Sequence, residues 1–141
     1  MQNAELGTSM PKALTTYPIH LGLGATALSE PELTGMAWYA DYAERHAADG
    51  AEARLVSMHT FSKPWGVWEM HPDGSEVVLC TAGSIDLLQE RDGAVETTTL
   101  SPGEYLINEP GVWHTADVRG MATAVFITAG RGTQHKPRGA A

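Results

Sequence analysis

Trp68-Glu69-Met70-His71-Pro72-Asp73-Gly74-Ser75-Glu76 is the stretch on which the reading of this fold turns. It is followed by Gly83 and by a second block of Gly103, Pro110-Gly111 and His114. Glu69 and His71 stand two apart on a strand-prone run. Strand alternation puts both side chains on one face, with α-carbons roughly 6.6 Å apart. Pro72-Asp73-Gly74 reverses the chain, and the reversal can return Glu76 to that face. His114 enters from the next strand after the Pro110-Gly111 turn. Two imidazoles and two carboxylates meeting at one point are what a mononuclear metal site requires. Such donors suit Fe, Mn, Co, Ni or Zn rather than Ca or Mg.

Outward from these blocks, short β-prone runs alternate with turn signals. The expected strands cover 54–61, 65–71, 76–82, 84–90, 95–100, 104–108, 113–118 and 121–128. Asp92-Gly93 between two such runs predicts a hairpin, because tight hairpin turns need positive φ. Many short, evenly spaced strands mean a sandwich or a barrel. No glycine-rich phosphate loop and no strand–helix alternation is present, which argues against a nucleotide-binding α/β fold. Residues 1–50 read as an arm with one short helix. Its start signals are Ser29-Glu30-Pro31-Glu32 and its stop is Gly50. Residues 51–128 read as the barrel. Residues 129–141 read as a basic, partly disordered tail, frayed over the last five.

The chain has 141 residues, enough for one domain with a real core, and a formal net charge of −8 from 9 Lys+Arg against 17 Asp+Glu. That balance argues against a nucleic-acid partner, which needs a basic face, and against an anionic membrane surface. No apolar run approaches the ~18 residues of a spanning helix. A single cysteine, Cys80, rules out an internal disulfide framework. The first residues show no basic start and no apolar stretch of a secretory signal, so the expectation is a soluble, cytoplasmic protein.

The two blocks resemble the two short motifs of the cupin superfamily, a small double-stranded β-helix barrel. The first motif runs His-x-His, three or four residues, Glu, six residues, Gly. Here it is Glu69-x-His71, four residues, Glu76, six residues, Gly83. The second runs Gly, five residues, Pro-x-Gly, two residues, His, matched here by Gly103, Gly111 and His114. Two positions depart from the pattern. Glu69 stands where the family has its first His, and Glu109 where it has the proline. The resemblance implies an all-β, jelly-roll type barrel with an N-terminal arm and one short helix. It implies one divalent transition metal (Fe, Mn, Zn, Ni or Co) on Glu69, His71, Glu76 and His114, and a homodimer with the arm as exchange element. With Glu69, the donor set neutralises a divalent ion and favours harder ions such as Mn(II) or Fe(II).

The resulting expectation is a metal-dependent enzyme of oxygenase or isomerase/lyase type. Its substrate would be a small oxygen-bearing organic molecule, and Glu69, His71 and His114 would be the catalytic groups. Trp65, Val67, Val78 and Ile107 are the candidate substrate-binding residues. Two alternatives stand beside it. One is a metal-free acid–base enzyme or cyclase, in which repulsion between Glu69 and Glu76 raises one carboxyl pKa toward neutrality. The other is a non-catalytic small-molecule binding or sensing module. By strand parity, Trp68 and Trp113 should lie outside the barrel, and an inward His59 could contact the site.

Overall fold

The structure is a computed structural model and describes residues 10–139. In chain order the elements are β1 (Ile19–Gly22), β2 (Thr26–Ser29), α1 (Met36–Arg45), β3 (Arg54–Phe61), β4 (Val67–Met70), β5 (Glu76–Arg91), β6 (Ala94–Leu100), β7 (Tyr105–Asn108), β8 (His114–Thr128) and β9 (Gln134–Pro137). The strands form one antiparallel system with the backbone order β2-β1-β3-β8-β4-β9, and β5 pairs with β6, β7 and β8. β8 is the hub. Its first half faces the second half of β5, from Gln89↔His114 to Ile85↔Val118, and its second half faces both β3 and the start of β5.

Four of the expected strands merge into two long ones, because the breaks between 76–82 and 84–90, at Gly83, and between 113–118 and 121–128, at Arg119-Gly120, are bends rather than turns. Gly83 is the site of a register shift against β8. Before it, the buried positions of β5 are Glu76, Val78 and Cys80; after it they include Ile85, Leu87 and Gln89. The inward parity switches from even to odd at the one-residue shift between Cys80 and Ala82, and the second shift, after Gly83, keeps it, so both halves of the strand aim side chains into one interior. Only glycine fits at position 83. Its φ is +70°, and a Cβ would stand 2.1 Å from the Met121 carbonyl oxygen.

The interior below the site is apolar: Val78, Cys80, Ile85, Leu87, Leu100, Ala116, Val118, Ala122, Ala124 and Phe126, with Phe61, Trp65 and Leu106 against them. Ile85 and Leu87 are fully buried, each worth about 1.5–3 kcal/mol over leaving it in water.

Both ends of the chain differ from expectation. The helix begins at Met36, not near Ser29, which closes β2 instead. Glu30 is buried and accepts hydrogen bonds from Arg45 (2.7 Å) and His46 (2.9 Å), so it ties down the far end of α1 rather than opening a helix. At the other terminus, Gln134–Pro137 is a strand paired with β4 in the register Val67↔Pro137 to Met70↔Gln134. Ion pairs Lys136–Glu90 (3.3 Å) and Arg138–Asp117 (2.8 Å) hold it, and Arg138 also donates to the carbonyls of Trp65 and Ala116. The basic charge expected of this segment is what docks it on an acidic body. Residues 140–141 lie outside the described residues.

Candidate metal centre

Three strand ends place the four predicted ligands together. Glu69 is on β4, directly opposite His114 at the start of β8. His71 follows β4, and Glu76 opens β5 after the turn. One donor atom from each of Glu69, His71, Glu76 and His114 lies within 4.8 Å of the others. Nε2 of His114 is 3.1 Å from Glu76 Oε1 and 3.8 Å from Glu69 Oε1, and Nε2 of His71 is 3.3 Å from Glu76 Oε2 and 4.0 Å from Glu69 Oε1. Ligands about 2.1 Å from a common ion sit about 3.0–3.4 Å apart, and farther when opposite one another. The spacing fits with little movement.

Each donor is aimed by its surroundings. Glu76 is buried and accepts from Asn108 Nδ2 (3.1 Å) on one oxygen and from Thr128 Oγ1 (2.7 Å) on the other. Asn108 is fixed in turn by Gln89 Nε2 (2.7 Å). Nδ1–H of His114 donates to the Val112 carbonyl (3.1 Å), and Nδ1 of His71 meets Thr133 Oγ1 (2.8 Å). Those contacts leave both Nε2 atoms facing inward, and both are buried without a hydrogen-bond partner. Their nearest carboxylate oxygens are close but off the line a hydrogen bond needs. Buried polar atoms are rarely left in this state, and two orphaned imidazole nitrogens beside two carboxylates fit a divalent cation.

The carboxylates do not behave as the metal-free alternative expects. Burial pushes Glu69 and Glu76 up, but contact with His114 and His71 outweighs it, and both end below the usual carboxylate range. Burial pulls His114 down, and Glu69 and Glu76 overcome it, holding the imidazole up at about 9. The imidazoles, rather than a protonated carboxyl, therefore absorb the repulsion between the acids.

The candidate substrate-binding residues separate. Trp65 is half-buried against the core, with its indole N–H buried and unpartnered. Val67 is 37% exposed on β4, and Val78 is wholly buried in the core. Ile107 does not face the interior: it is 42% exposed and pairs with Val77 on the outer side, whereas its neighbour Asn108 points inward beside Glu76. Single-residue alternation on β7 decides this. Trp68 and Trp113 lie outside as expected, with Lys136 Nζ 5.9 Å and 4.4 Å from their ring centres. His59 and the helix residue Tyr39 both feel the Glu69 charge. Burial lowers the His59 pKa against that charge and, together with it, raises that of Tyr39. Thr128, Asn108, Gln89, Thr133 and Tyr39 carry no motif signal.

A second cluster, His20, His46 and Asp49, also brings possible ligand atoms together. Its imidazoles stack at 3.6 Å with planes 14° apart. Parallel rings send their in-plane lone pairs along parallel lines, which do not converge on an ion. Both His20 nitrogens are engaged as well, with Tyr42 Oη (2.6 Å) and Asp49 Oδ2 (2.7 Å). This cluster fastens α1 to β1.

Among solved structures, a recombinant oxalate oxidase in complex with glycolate superposes with a TM-score of 0.50 at 15% identity, over 57% of this chain and 45% of that one. A cupin-2 domain protein from Shewanella frigidimarina gives 0.46 at 22% identity, over 60% and 71%. This chain has the cupin fold. Peruvianin-I, a cysteine peptidase from Thevetia peruviana latex, gives 0.49 at 25% identity, over 60% of this chain and 56% of that one. The chain thus spans little more than half of Peruvianin-I and less than half of the oxidase. No protein-family model matches the chain, and no curated protein does. No helix among the described residues is long and apolar enough to cross a membrane.

Proposed function

We propose that this cupin holds one divalent transition metal on Glu69, His71, Glu76 and His114 and is a metal-dependent enzyme of oxygenase or isomerase/lyase type. Its substrate would be a small, oxygen-bearing organic molecule. The observation that carries the reading is the pair of buried, unpartnered Nε2 atoms of His71 and His114 beside Glu76. A metal here supplies Lewis-acid activation of a substrate oxygen, or redox chemistry if it is iron. Asn108 and Thr128 spend one lone pair on each oxygen of Glu76 and leave the others for the ion. Glu69 is the exception to the burial: its side chain is 27% exposed, against 5% or less for the other three. It therefore marks the open side, where a substrate would enter.

The metal-free acid–base reading is less well supported. A general acid or base works best with a pKa near the working pH. His114 is held up at about 9 and both carboxylates lie below their usual range, so none of the three stands near neutrality. A cysteine nucleophile is equally ill placed, since Cys80 is fully buried and burial pushes its thiol up.

Elemental analysis tests the proposal on tag-free protein grown with supplemented Mn, Fe, Co, Ni and Zn. The expected content is about one equivalent per chain, falling to near zero in His71→Ala and in His114→Ala. Less than about a tenth of an equivalent in the parent protein contradicts it.

A further inference from the structure

The C-terminal strand reaches two of the four ligands. Thr133, just before β9, has one hydroxyl hydrogen, and it is directed at the Gly130 carbonyl at 2.7 Å. Its oxygen therefore accepts from Nδ1–H of His71 at 2.8 Å. That contact fixes the tautomer, leaving the lone pair on Nε2, the atom that faces Glu76. One residue pair further on, His135 stands in register with Glu69, and its Nε2 is 3.1 Å from Glu69 Oε2. The other oxygen, Oε1, is the one facing His71 and His114. Glu69 is the most exposed of the four ligands, so it has the most rotational freedom to lose.

We propose that Thr133 and His135 are positioning residues of the metal centre: Thr133 sets the His71 ring to present Nε2, and His135 holds the outer oxygen of Glu69 so that the inner one faces the ion. The inference rests on the metal-binding reading above. It gives the C-terminal strand a working role in a site whose motif residues all lie before it. It also offers this chain's answer to having Glu at position 69. A carboxylate on a half-exposed strand end needs an outside partner, and the strand supplies one. The strand is anchored independently, through Lys136 to Glu90 and Arg138 to Asp117 and to the carbonyls of Trp65 and Ala116. Thr133 and His135 can therefore be changed without releasing it.

The test compares tag-free, full-length wild type with Thr133→Val, Thr133→Ser, His135→Ala and His135→Gln. Three quantities are read: Co(II) affinity by chelator competition, the Co(II) visible spectrum, and the melting temperature of the metal-free protein. Removing a hydrogen-bond partner behind a metal ligand typically weakens binding ~10–100-fold. That loss is expected for Thr133→Val and His135→Ala, with an altered Co(II) spectrum and an unchanged metal-free melt. Thr133→Ser and His135→Gln, which keep an acceptor and a donor respectively, should restore affinity to within about threefold. The proposal is overturned by wild-type affinity and spectrum in Thr133→Val and His135→Ala. It is equally overturned if the conservative variants fail alongside them, or if the affinity loss tracks a fall in the metal-free melt. Wild type that binds no Co(II) removes the metal reading itself; wild type that binds it while the variants match it removes only the role of the strand.

Discussion

Replacing Gly83 by Ala probes the link between backbone and site. The new Cβ would stand 2.1 Å from the Met121 carbonyl oxygen and 3.0 Å from the Ala122 α-carbon. Both are backbone atoms of the hub strand β8, so no flexible side chain can yield. The residue would also keep φ near +70°, which costs an L-amino acid roughly 1–2 kcal/mol. Strain and clash together put the expected destabilisation at about 3–5 kcal/mol, the range reserved for named backbone or core defects. For a chain of this size each kcal/mol moves the melting temperature by about 2–4 °C, so a fall of about 6–20 °C is expected. Because Gly83 sits at the register shift that joins the two halves of β5 on β8, relief of the clash should move Glu76, on the first half, against Gln89, on the second. Metal affinity should fall together with stability. Reversible thermal unfolding by circular dichroism, with urea titration for the free energy, measures the first; chelator competition measures the second. A loss below about 1 kcal/mol would refute the assigned role of Gly83.

Proton release should accompany metal uptake. His114 is held at about 9 in the metal-free protein, above the ordinary imidazole value of about 6.5. Its ion pair therefore stabilises the metal-free fold fully below about pH 6.5, and that contribution is lost as pH rises through about 9. Binding needs the lone pair, so Mn(II) affinity should climb about tenfold per pH unit and be about a hundredfold lower at pH 7 than at its plateau; affinity flat between pH 6.5 and 8.5 would contradict this. Glu69→His should rebuild the donor set of the family motif and tighten Zn or Ni binding, read by competition; unchanged or weaker binding would show that residue 69 is not a ligand. Leu87→Ala, in the fully buried core, should cost about 2–5 kcal/mol in urea unfolding and leave the four ligands in place, so metal stoichiometry should stay at about one.

The barrel and the four-residue cluster were legible because their signals are local. Glu69-x-His71, the Pro72-Asp73-Gly74 reversal and the Pro110-Gly111 turn fix directions over a few residues, and β alternation does the rest. Gly83 and Gly120 were legible as breaks between strands but not as bends within continuous ones, since a bulge and a turn ask for the same residue. Ser29-Glu30-Pro31 carries real helix-start chemistry, yet tertiary pairing of β2 and the burial of Glu30 under Arg45 and His46 override it. Gln134-His135-Lys136-Pro137 has little strand propensity; its strand comes from β4 and from ion pairs with Glu90 and Asp117, which lie far away in sequence. Ile107 was assigned to the wrong face because the parity of a four-residue strand depends on its pairing with β5. The raised carboxyl pKa was expected from two acids alone. The lowered values follow from two imidazoles whose closeness only the folded chain reveals.

The most direct test is anomalous diffraction from crystals of the tag-free protein grown with Mn(II) and measured above and below the metal edge. A single peak is expected within bonding distance of the Nε2 atoms of His71 and His114 and of a carboxylate oxygen from each of Glu69 and Glu76. Well-ordered crystals with saturating metal and no peak between the two imidazoles would contradict the account.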